Sequence, residues 1–567
     1  MLTRDLNKLL SEMSLEEKVG QLLLIGFEGR RPNREVAEFI KEGKVGGVVL
    51  LSRNAEEAGE AADLICVLQK LATAGSHALP LFIAVDQEGG SVVRLTEGVT
   101  VFPSNMALGA TGCSDYALLA AEAVGGELAS LGVNMNFAPV LDVNNNPRNP
   151  VIGIRSFGED PELVAEFGKM AIKGYQNRGV ATVAKHFPGH GDTAFDSHLT
   201  MPRVPYTMER LFQLELVPFQ AAIACGVDCI MTAHLAFPAI EANPGLPATL
   251  SETVLTGLLR QKMGFDGLII TDCLEMQGVT AAVNPEQAAA MAVGAGADLA
   301  LISHSLERQR AAHREIMESV RRGFIPLVRI EEAVGKILRL KQRLFTTEQS
   351  ISSSGRSRQK VEVSRKLGVA SAQNSAEENQ SLARRIAADS LTLVRNEGGI
   401  LPLKLQPNED LLIITFRGRG LTLVEEGGGF VSGLFHSLRK RHLRIEERIV
   451  AISPEENEID QIIRELKERR PGMVILATQD AGLYPGQATV VKRVAAAGFP
   501  SVVIALRTPY DLAAFPEVKT FIAAYGFRTT TLEALAGLLW GEFLPLGKLP
   551  VSIPGLYPAG YGLEGFD

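Results

Sequence analysis

The chain has 567 residues, of which 46% are hydrophobic and 22% charged, and its formal net charge is −8. This length exceeds what one hydrophobic core supports and predicts two or three domains. The mild acidic excess argues against nucleic acids and anionic membrane surfaces as partners.

The amino-terminal segment lacks the pattern of a secretion signal. No long apolar run follows its first charges, and Ser14 with Glu17 has the spacing of a capping box that opens a helix. No later run approaches the roughly 18 uncharged residues that a membrane helix needs. The cysteines are odd in number and scattered, and Cys225 and Cys229 lack the spacing of common zinc or redox pairs. We therefore expect a cytoplasmic protein with free thiols.

Short apolar runs alternate with helix-like segments through the first half of the chain. This alternation predicts an α/β fold in which parallel strands close into an N-terminal (β/α)8 TIM-type barrel. The predicted strands are Gln21–Phe27, Gly46–Leu51, Leu81–Asp86, Val133–Pro139, Val180–Lys185, Cys229–Ala233, Gly267–Thr271 and Leu299–Ser303.

Polar side chains stand at the carboxyl ends of most of these runs. One such residue would only solvate a strand end, but several on one rim indicate a site, because chemistry in this barrel type belongs at that face. The residues are Asp86, Asp142, Lys185, His186, His234, Asp272 and His304.

The segment 185–202 crowds titratable side chains around glycine and proline. Glycines 189 and 191 permit unusual turns, and Pro188 fixes one dihedral angle. A hydrogen-bonded surface turn is the plain alternative, but loops on rigid scaffolds commonly carry the chemistry. The titratable residues are Lys185, His186, His190, Asp192, Asp196 and His198.

A polar, serine-rich stretch follows a helical pattern that ends near Phe345, and its composition is typical of a linker. We predict a barrel at 1–345, a linker at 346–380 and a second domain at 381–567. The second domain is predicted to be an open α/β sandwich that packs against the barrel or shapes substrate access. Its predicted strands are Leu411–Phe416, Met473–Thr478, Ser501–Leu506 and Phe521–Tyr525.

Asp272 directly follows an apolar strand and is a candidate nucleophile, although an aspartate in this position can also cap a helix. His198, with an ordinary pKa near ~6.5, can give and take a proton close to neutrality. Asp196, two residues earlier, can hold one of its ring nitrogens; the alternative is a histidine that only stiffens its loop. A carboxylate nucleophile with a separate proton donor is the arrangement that glycoside hydrolysis requires.

The 185–202 loop also holds the ligand types that zinc and iron hydrolases use. These ligands are crowded into one loop, and Lys185 adds a positive charge beside them. We therefore predict no metal and no cofactor.

Recognisable motifs are spread over nearly the whole chain. In the first half they are Asp86-Gln-Glu-Gly-Gly90 with Arg94, Asn134-Met-Asn-Phe-Ala-Pro-Val-Leu-Asp142, Ile152-Gly-Ile-Arg-Ser-Phe-Gly158, Lys185-His-Phe-Pro-Gly-His-Gly191, Asp196-Ser-His198 and Thr271-Asp272. In the second half they are Leu391-Thr-Leu-Val-Arg-Asn-Glu397 and Gly547-Lys-Leu-Pro-Val-Ser-Ile-Pro554. Together they resemble glycoside hydrolase family three, specifically its β-N-acetylglucosaminidase branch.

The resemblance implies that Asp272 is the nucleophile and that Asp196 and His198 form an acid/base dyad. Relatives that act on plain glucosides usually lack the Asp-x-His element and take a glutamate from the second domain, so its presence favours N-acetylglucosamine. Cys273 stands where relatives often have Asp or Ala, which affects the hydrogen bonding beside the nucleophile. The residues implied to hold the sugar are Asp86, Arg94, Arg155, Lys185 and His186.

The resemblance implies release of terminal β-linked N-acetylglucosamine from cell-wall muropeptides or related glycans in the cytoplasm. Two alternatives stay open. A neutral His198 repels phosphate less than a second carboxylate would, so phosphorolysis to a sugar 1-phosphate is one of them. The other is a glycan-binding protein without catalysis, which intact Asp196, His198 and Asp272 disfavour. The oligomeric state is not predictable from these patterns.

Overall fold

The computed structural model describes residues 5–194, 201–281, 283–352, 376–417, 425 and 433–567. Two sheets organise them, one of eight strands in the first half and one of six strands in the second. Among these residues, none of the helices combines the length and the apolar character required to cross a membrane.

The first domain is built on short, buried strands. They are β1 (Leu23–Ile25), β2 (Gly47–Leu50), β3 (Phe82–Val85), β4 (Gln87–Gly89), β5 (Val92–Val93), β6 (Met135–Asn136), β7 (Ala181–Phe187), β8 (Cys229–Thr232), β9 (Leu268–Ile270) and β10 (Ala300–Ile302). The parallel sheet has the order β10-β1-β2-β3-β6-β7-β8-β9, and β4 pairs with β5 in a small hairpin. Ile270 forms a parallel bridge with Leu299, which closes the circle.

Helices connect the strands and cover the barrel. They are α1 (Leu6–Glu12), α2 (Leu15–Gln21), α3 (Arg34–Lys41), α4 (Ala58–Thr73), α5 (Asn105–Ala110), α6 (Asp115–Leu131), α7 (Pro161–Asn177), α8 (Met208–Gln213), α9 (Val217–Ala224), α10 (Gln277–Thr280), α11 (Pro285–Ala295), α12 (Leu306–Arg321) and α13 (Leu327–Ser352). Short 3₁₀ turns lie at Gly153–Arg155 and Ala248–Leu250, and Thr253–Lys262 is π-helical. The capping box of Ser14 and Glu17 forms as predicted.

The predicted barrel is confirmed. A strand forms in each predicted apolar run of the first domain, and β7 continues two residues beyond its run, to Phe187. Most strands are shorter than their apolar runs. The apolar residues beyond the strand ends are buried in the core, although they are not paired in the sheet. Leu22 and Phe27, for example, are buried on either side of β1. Apolar character therefore reports burial in these runs, whereas strand pairing depends on the neighbours in the barrel.

The second domain is an open sheet with helices on its faces. Its strands are β11 (Thr392–Asn396), β12 (Leu411–Arg417), β13 (Ile445–Ala451), β14 (Met473–Thr478), β15 (Ser501–Ala505) and β16 (Thr520–Ala523). Their order is β11-β16-β15-β14-β12-β13, parallel except for the antiparallel β11. The helices are α15 (Gly433–Arg439), α16 (Glu456–Arg469), α17 (Pro485–Ala496) and α18 (Thr529–Leu539), with a 3₁₀ segment at Pro509–Ala514.

Two strands of this sheet, β11 and β13, were absent from the sequence prediction. Both lie at sheet edges, where one side faces no partner strand. The edge strand β13 carries Glu446, Glu447 and Arg448, so it does not form an apolar run. Charged edge strands are a common protection against pairing with other chains.

The junction between the domains differs from a plain linker. Helix α13 continues to Ser352, and residues 376–390 form a further helix, α14. Within α14, Ala383 and Ile386 belong to the barrel's hydrophobic core. The proposed boundaries at 345 and 381 stay predictions, because helical structure crosses both.

The two domains pack directly on each other. Met106 and Ile154 of the first domain are part of the hydrophobic cluster that covers one face of the second domain's sheet. Ser104 Oγ also donates to the carbonyl of Tyr525 at 2.6 Å, and Arg528 Nε donates to the carbonyl of Gly90 at 2.9 Å. The second domain therefore supports loops at the carboxyl end of the barrel.

Candidate active site

A cavity of about 450 Å³ opens at the carboxyl ends of the barrel strands. Strand ends of this barrel type are where loops and strand-terminal side chains form catalytic sites. Six of the eight residues predicted to be catalytic or sugar-binding line this cavity: Asp86, Arg94, Arg155, Lys185, His186 and Asp272.

Buried charges of opposite sign form a network in the cavity wall. Lys185 Nζ lies 2.8 Å from Asp86 Oδ1 and 2.7 Å from Glu88 Oε1. Arg155 holds the same Glu88 with two hydrogen bonds, at 2.9 Å from Nε and 2.8 Å from Nη2. Arg94 Nη2 lies 3.3 Å from Asp86 Oδ2. Such pairing is what allows charged groups to remain buried, and it fixes their donors in place.

The network keeps both carboxylates ionised. Burial alone would raise the pKa of Glu88, but the charges of Arg155 and Lys185 outweigh it and lower that pKa to about 2. The pKa of Asp86 is lowered in the same way, against burial, by Lys185 and Arg94. The cavity wall therefore presents fixed charges and hydrogen-bonding groups at neutral pH.

Glu88 was missed as a site residue by sequence reasoning. It lies within the Asp86–Gly90 motif, and its side chain is almost completely buried against two cations. The motif itself was the available signal, because a glutamate between a strand end and two glycines has no obvious place in a core. Its partners, however, are 67 and 97 residues away in the chain, which no local pattern reveals.

Asp142 orients His186. Its carboxylate lies 2.7 Å from His186 Nδ1 and accepts backbone hydrogen bonds from His186 at 3.2 Å and His190 at 2.7 Å. The opposite ring nitrogen, Nε2, lies 3.4 Å from Arg155 Nη2 at the cavity. A fixed ring with one nitrogen toward the cavity is suited to binding a hydroxyl group. The sequence placed Asp142 on the rim, whereas the structure shows it fully buried as a support.

His190 is a buried, neutral histidine. Burial lowers its pKa to about 4 despite the nearby Asp142. Its Nδ1 lies 3.1 Å from Thr193 Oγ1, and Asn149 Nδ2 donates to its carbonyl at 2.8 Å. The residue therefore anchors the beginning of the loop and also lines the cavity.

Asp272 follows β9 and lines the cavity with part of its surface exposed. Its Oδ1 accepts a hydrogen bond from the backbone N–H of Cys273 at 2.7 Å. The carbonyl of Cys273 is in turn 2.9 Å from His234 Nε2, so the turn is tied to the end of β8. The backbone N–H of residue 273 makes the hydrogen bond to Asp272, so a cysteine side chain at this position does not remove it. Burial raises the pKa of the Cys273 thiol to about 12.

Asp196 and His198 lie outside the described residues, so their predicted roles stay predictions. The described flanks of their loop are well anchored. Asn149 Nδ2 donates to the carbonyl of Gly191 at 2.9 Å, and Val204 pairs with the carbonyl of Ala236 at 2.9 Å. Both ends of the segment are therefore attached at the carboxyl side of the barrel.

Comparison with known proteins identifies the family. Residues 14–340 match the model of the glycosyl hydrolase family 3 N-terminal domain, and residues 391–557 match that of its C-terminal domain. The chain belongs to glycosyl hydrolase family 3. The resemblance seen in the motifs is confirmed, and with it the two-domain fold and the enzyme class of a glycoside hydrolase.

Several similar proteins match nearly the whole chain. The "Beta-hexosaminidase A" of Pseudoalteromonas piscicida is 29% identical, over 95% of this chain and 97% of that protein. The "Beta-N-acetylglucosaminidase/beta-glucosidase" of Cellulomonas fimi is 30% identical, over 96% and 94%. A family 3 β-N-acetylglucosaminidase structure from Paenibacillus sp. str. FPU-7 is 40% identical with a TM-score of 0.85, over 95% of this chain and 99% of that one.

Proposed function

We propose that this family 3 enzyme is a retaining exo-glycosidase that hydrolyses terminal β-linked N-acetylglucosamine. The observation that carries the proposal is the placement of Asp272 in one cavity with fixed hydrogen-bonding groups on Asp86, Arg94, Lys185 and His186. The similarity to relatives named for β-hexosaminidase and β-N-acetylglucosaminidase activity supports the choice of sugar.

The cavity is suited to one sugar ring. Its volume of about 450 Å³ lies within the range of roughly 300–1,000 Å³ that is typical of small-molecule sites. Arginine and lysine donate to hydroxyl and acetamide oxygens, and carboxylates accept from sugar hydroxyls. Because Arg155 is held by two bonds to Glu88, its remaining donors keep a fixed direction.

In the first chemical step, the Asp272 carboxylate attacks the anomeric carbon while His198, held by Asp196, protonates the departing oxygen. This step forms a glycosyl ester on Asp272. In the second step, neutral His198 takes a proton from water, and the water attacks the same carbon and releases Asp272. Two inversions give retention, and neither step requires a cofactor.

We further propose that the natural substrates are cell-wall muropeptides or related glycans with N-acetylglucosamine at the non-reducing end. The proposed compartment is the cytoplasm, which agrees with five cysteines that are all free. Phosphorolysis stays the second candidate, because a neutral His198 repels an incoming phosphate less than a second carboxylate would.

The test uses p-nitrophenyl N-acetyl-β-glucosaminide, with and without inorganic phosphate. Free N-acetylglucosamine as the product in both cases is the expected result. Accumulation of sugar 1-phosphate with a large rise in turnover would instead select the phosphorylase. Glycan binding without turnover would select the non-catalytic alternative.

Asp272→Ala tests the mechanism in the same assay. Turnover should be lost, and azide should restore it by taking the place of the carboxylate, with a glycosyl azide of the α configuration as the product. Asp266→Ala is the matched control, because Asp266 lies at the opposite, amino-terminal end of β9, paired with Lys336. Full activity of the Asp272 variant would refute the assignment of Asp272 as the nucleophile.

A further inference from the structure

A group of metal-ligating side chains lies in the cavity wall next to Asp272. Within the described residues, Cys273, Glu275 and His304 place one ligand atom each so that all three atoms lie within 4.8 Å of one another. Cys273 and Glu275 come from the segment after β9, and His304 comes from the segment after β10. All three line the same cavity as the proposed nucleophile.

The separation of the sulfur and carboxylate atoms fits a tetrahedral metal ion. With zinc bonds of about 2.3 Å to sulfur and about 2.1 Å to oxygen, two ligands at a tetrahedral angle stand roughly 3.6 Å apart. Cys273 Sγ and Glu275 Oε2 are 3.8 Å apart. The imidazole of His304 is exposed, and its ligand atom lies within 4.8 Å of the other two, so it is the third ligand of the set.

Neighbouring groups hold two of these ligands in place. Glu275 Oε2 accepts the backbone N–H of His304 at 2.7 Å, and its Oε1 accepts that of Ser305 at 3.0 Å. Cys273 Sγ lies 3.0 Å from Ser303 Oγ. Outer hydrogen bonds of this kind orient metal ligands and strengthen metal binding.

We propose that Cys273, Glu275 and His304 form a binding site for a thiophilic divalent cation of the zinc class, and that its occupation inhibits the enzyme. Binding forms a sulfur–metal bond and releases the thiol proton to solvent, with no change of oxidation state. One thiolate and one carboxylate then balance the two positive charges of the ion.

Inhibition follows from the neighbourhood of Asp272. The backbone N–H of Cys273 donates to the Asp272 carboxylate, so a metal held by Cys273 restrains the same turn. A divalent cation in this wall also attracts the negative charge of the Asp272 carboxylate. This attraction weakens the carboxylate as a nucleophile toward the sugar. The inhibitory effect rests on the proposed function, whereas metal binding itself does not.

Cobalt(II) titration measures binding without reference to activity. A thiolate ligand produces a near-ultraviolet charge-transfer band on cobalt, and added zinc should abolish that band by displacement. The band is expected in the wild type and in the control Cys225→Ser, whose thiol lies near the surface away from the cavity. Cys273→Ser should lose the band, and His304→Gln should weaken cobalt affinity by roughly 10-fold or more.

Zinc inhibition of p-nitrophenyl N-acetyl-β-glucosaminide hydrolysis is measured on the same proteins. EDTA should reverse it in the wild type, and Cys273→Ser and His304→Gln should require at least roughly 10-fold more zinc. No band in the wild type, or an equal band in Cys273→Ser, would overturn the site. Loss of the band with unchanged zinc inhibition would overturn the inhibitory role.

Discussion

Asn144 in the barrel and Tyr510 in the second domain exchange two hydrogen bonds. Asn144 Nδ2 donates to Tyr510 Oη at 3.0 Å, and the Tyr510 hydroxyl donates to the backbone carbonyl of Asn144 at 3.2 Å. Asn144 follows by two residues the Asp142 that orients His186. The second domain therefore holds in place the loop that carries Asp142, the partner of His186 in the cavity wall.

Tyr510→Phe should lower kcat/KM by about 5- to 10-fold while the protein stays folded. The buried Asn144 amide would lose its partner at a cost of roughly 1–3 kcal/mol, and the loop under His186 would be less fixed. Steady-state kinetics with a thermal melt measure both effects. Tyr557→Phe is the control, because that hydroxyl accepts from Arg395 inside the second domain. Equal kinetic effects of the two variants would contradict the claim that Tyr510 holds the loop of Asn144 in place.

Glu88→Gln should destabilise the enzyme at neutral pH and weaken substrate binding, because Arg155 and Lys185 would share an uncharged partner. A folded pKa of about 2 against an ordinary 4.5 corresponds to ~3 kcal/mol. That stability is present above pH 4.5 and is lost as the pH falls toward 2.

Melting temperatures of the Glu88→Gln variant and the wild type should therefore differ most near pH 7 and converge as the pH drops through 4 toward 3. Glu122→Gln, which removes a partly exposed surface partner of Arg178, should change the melting temperature little at any pH. A difference for Glu88→Gln that stays constant from pH 7 to 3 would argue against the ionised buried carboxylate.

Lys341→Met should stabilise the barrel at pH 6–7. Lys341 is fully buried, its Nζ donates to Gln21 Oε1 at 2.7 Å, and burial lowers its pKa from 10.5 to about 7. The cost of burying this charge exceeds the loss of the Gln21 bond by ~2 kcal/mol.

The gain from Lys341→Met should shrink as the pH rises from 7 to 10. In that range the folded lysine is neutral and the unfolded one is protonated, so the wild type regains stability as the pH increases. Thermal melts across the range, with the exposed Lys404→Met as control, measure the change. A gain that stays constant from pH 7 to 10 would show that Lys341 remains charged in the folded state.

His198→Ala should reduce hydrolysis of natural disaccharides far more than hydrolysis of p-nitrophenyl glycosides. A nitrophenolate departs without protonation, whereas a sugar hydroxyl needs the proton that His198 is proposed to supply. The ratio of kcat/KM for the two substrates is the measurement. Asp272→Ala is the comparison, because loss of the nucleophile should affect both alike; equal losses in the His198 variant would speak against the donor role.

Much of the fold could be predicted from local patterns. Apolar runs such as Gly46–Leu51 and Met473–Thr478 contain β2 and β14, because a strand covered on both faces needs apolar residues at every position. The edge strand β13 was not predicted, because charged residues at 446–448 interrupt its apolar pattern. The packing of α14 against the barrel could not be predicted from the sequence, because it is a contact between residues far apart in the chain.

The sequence by itself determined which residues reach the rim of the barrel, because parallel strands all end on one side and Asp86, Lys185 and Asp272 each stand at or beside such an end. Only the tertiary structure decided which charges meet there. Glu88 pairs with Arg155 and Lys185, and Asp142 orients His186, through contacts between residues far apart in the chain. Those pairings depend on how the sheet closes and how the second domain packs on its loops, and both result from the balance of many distant contacts.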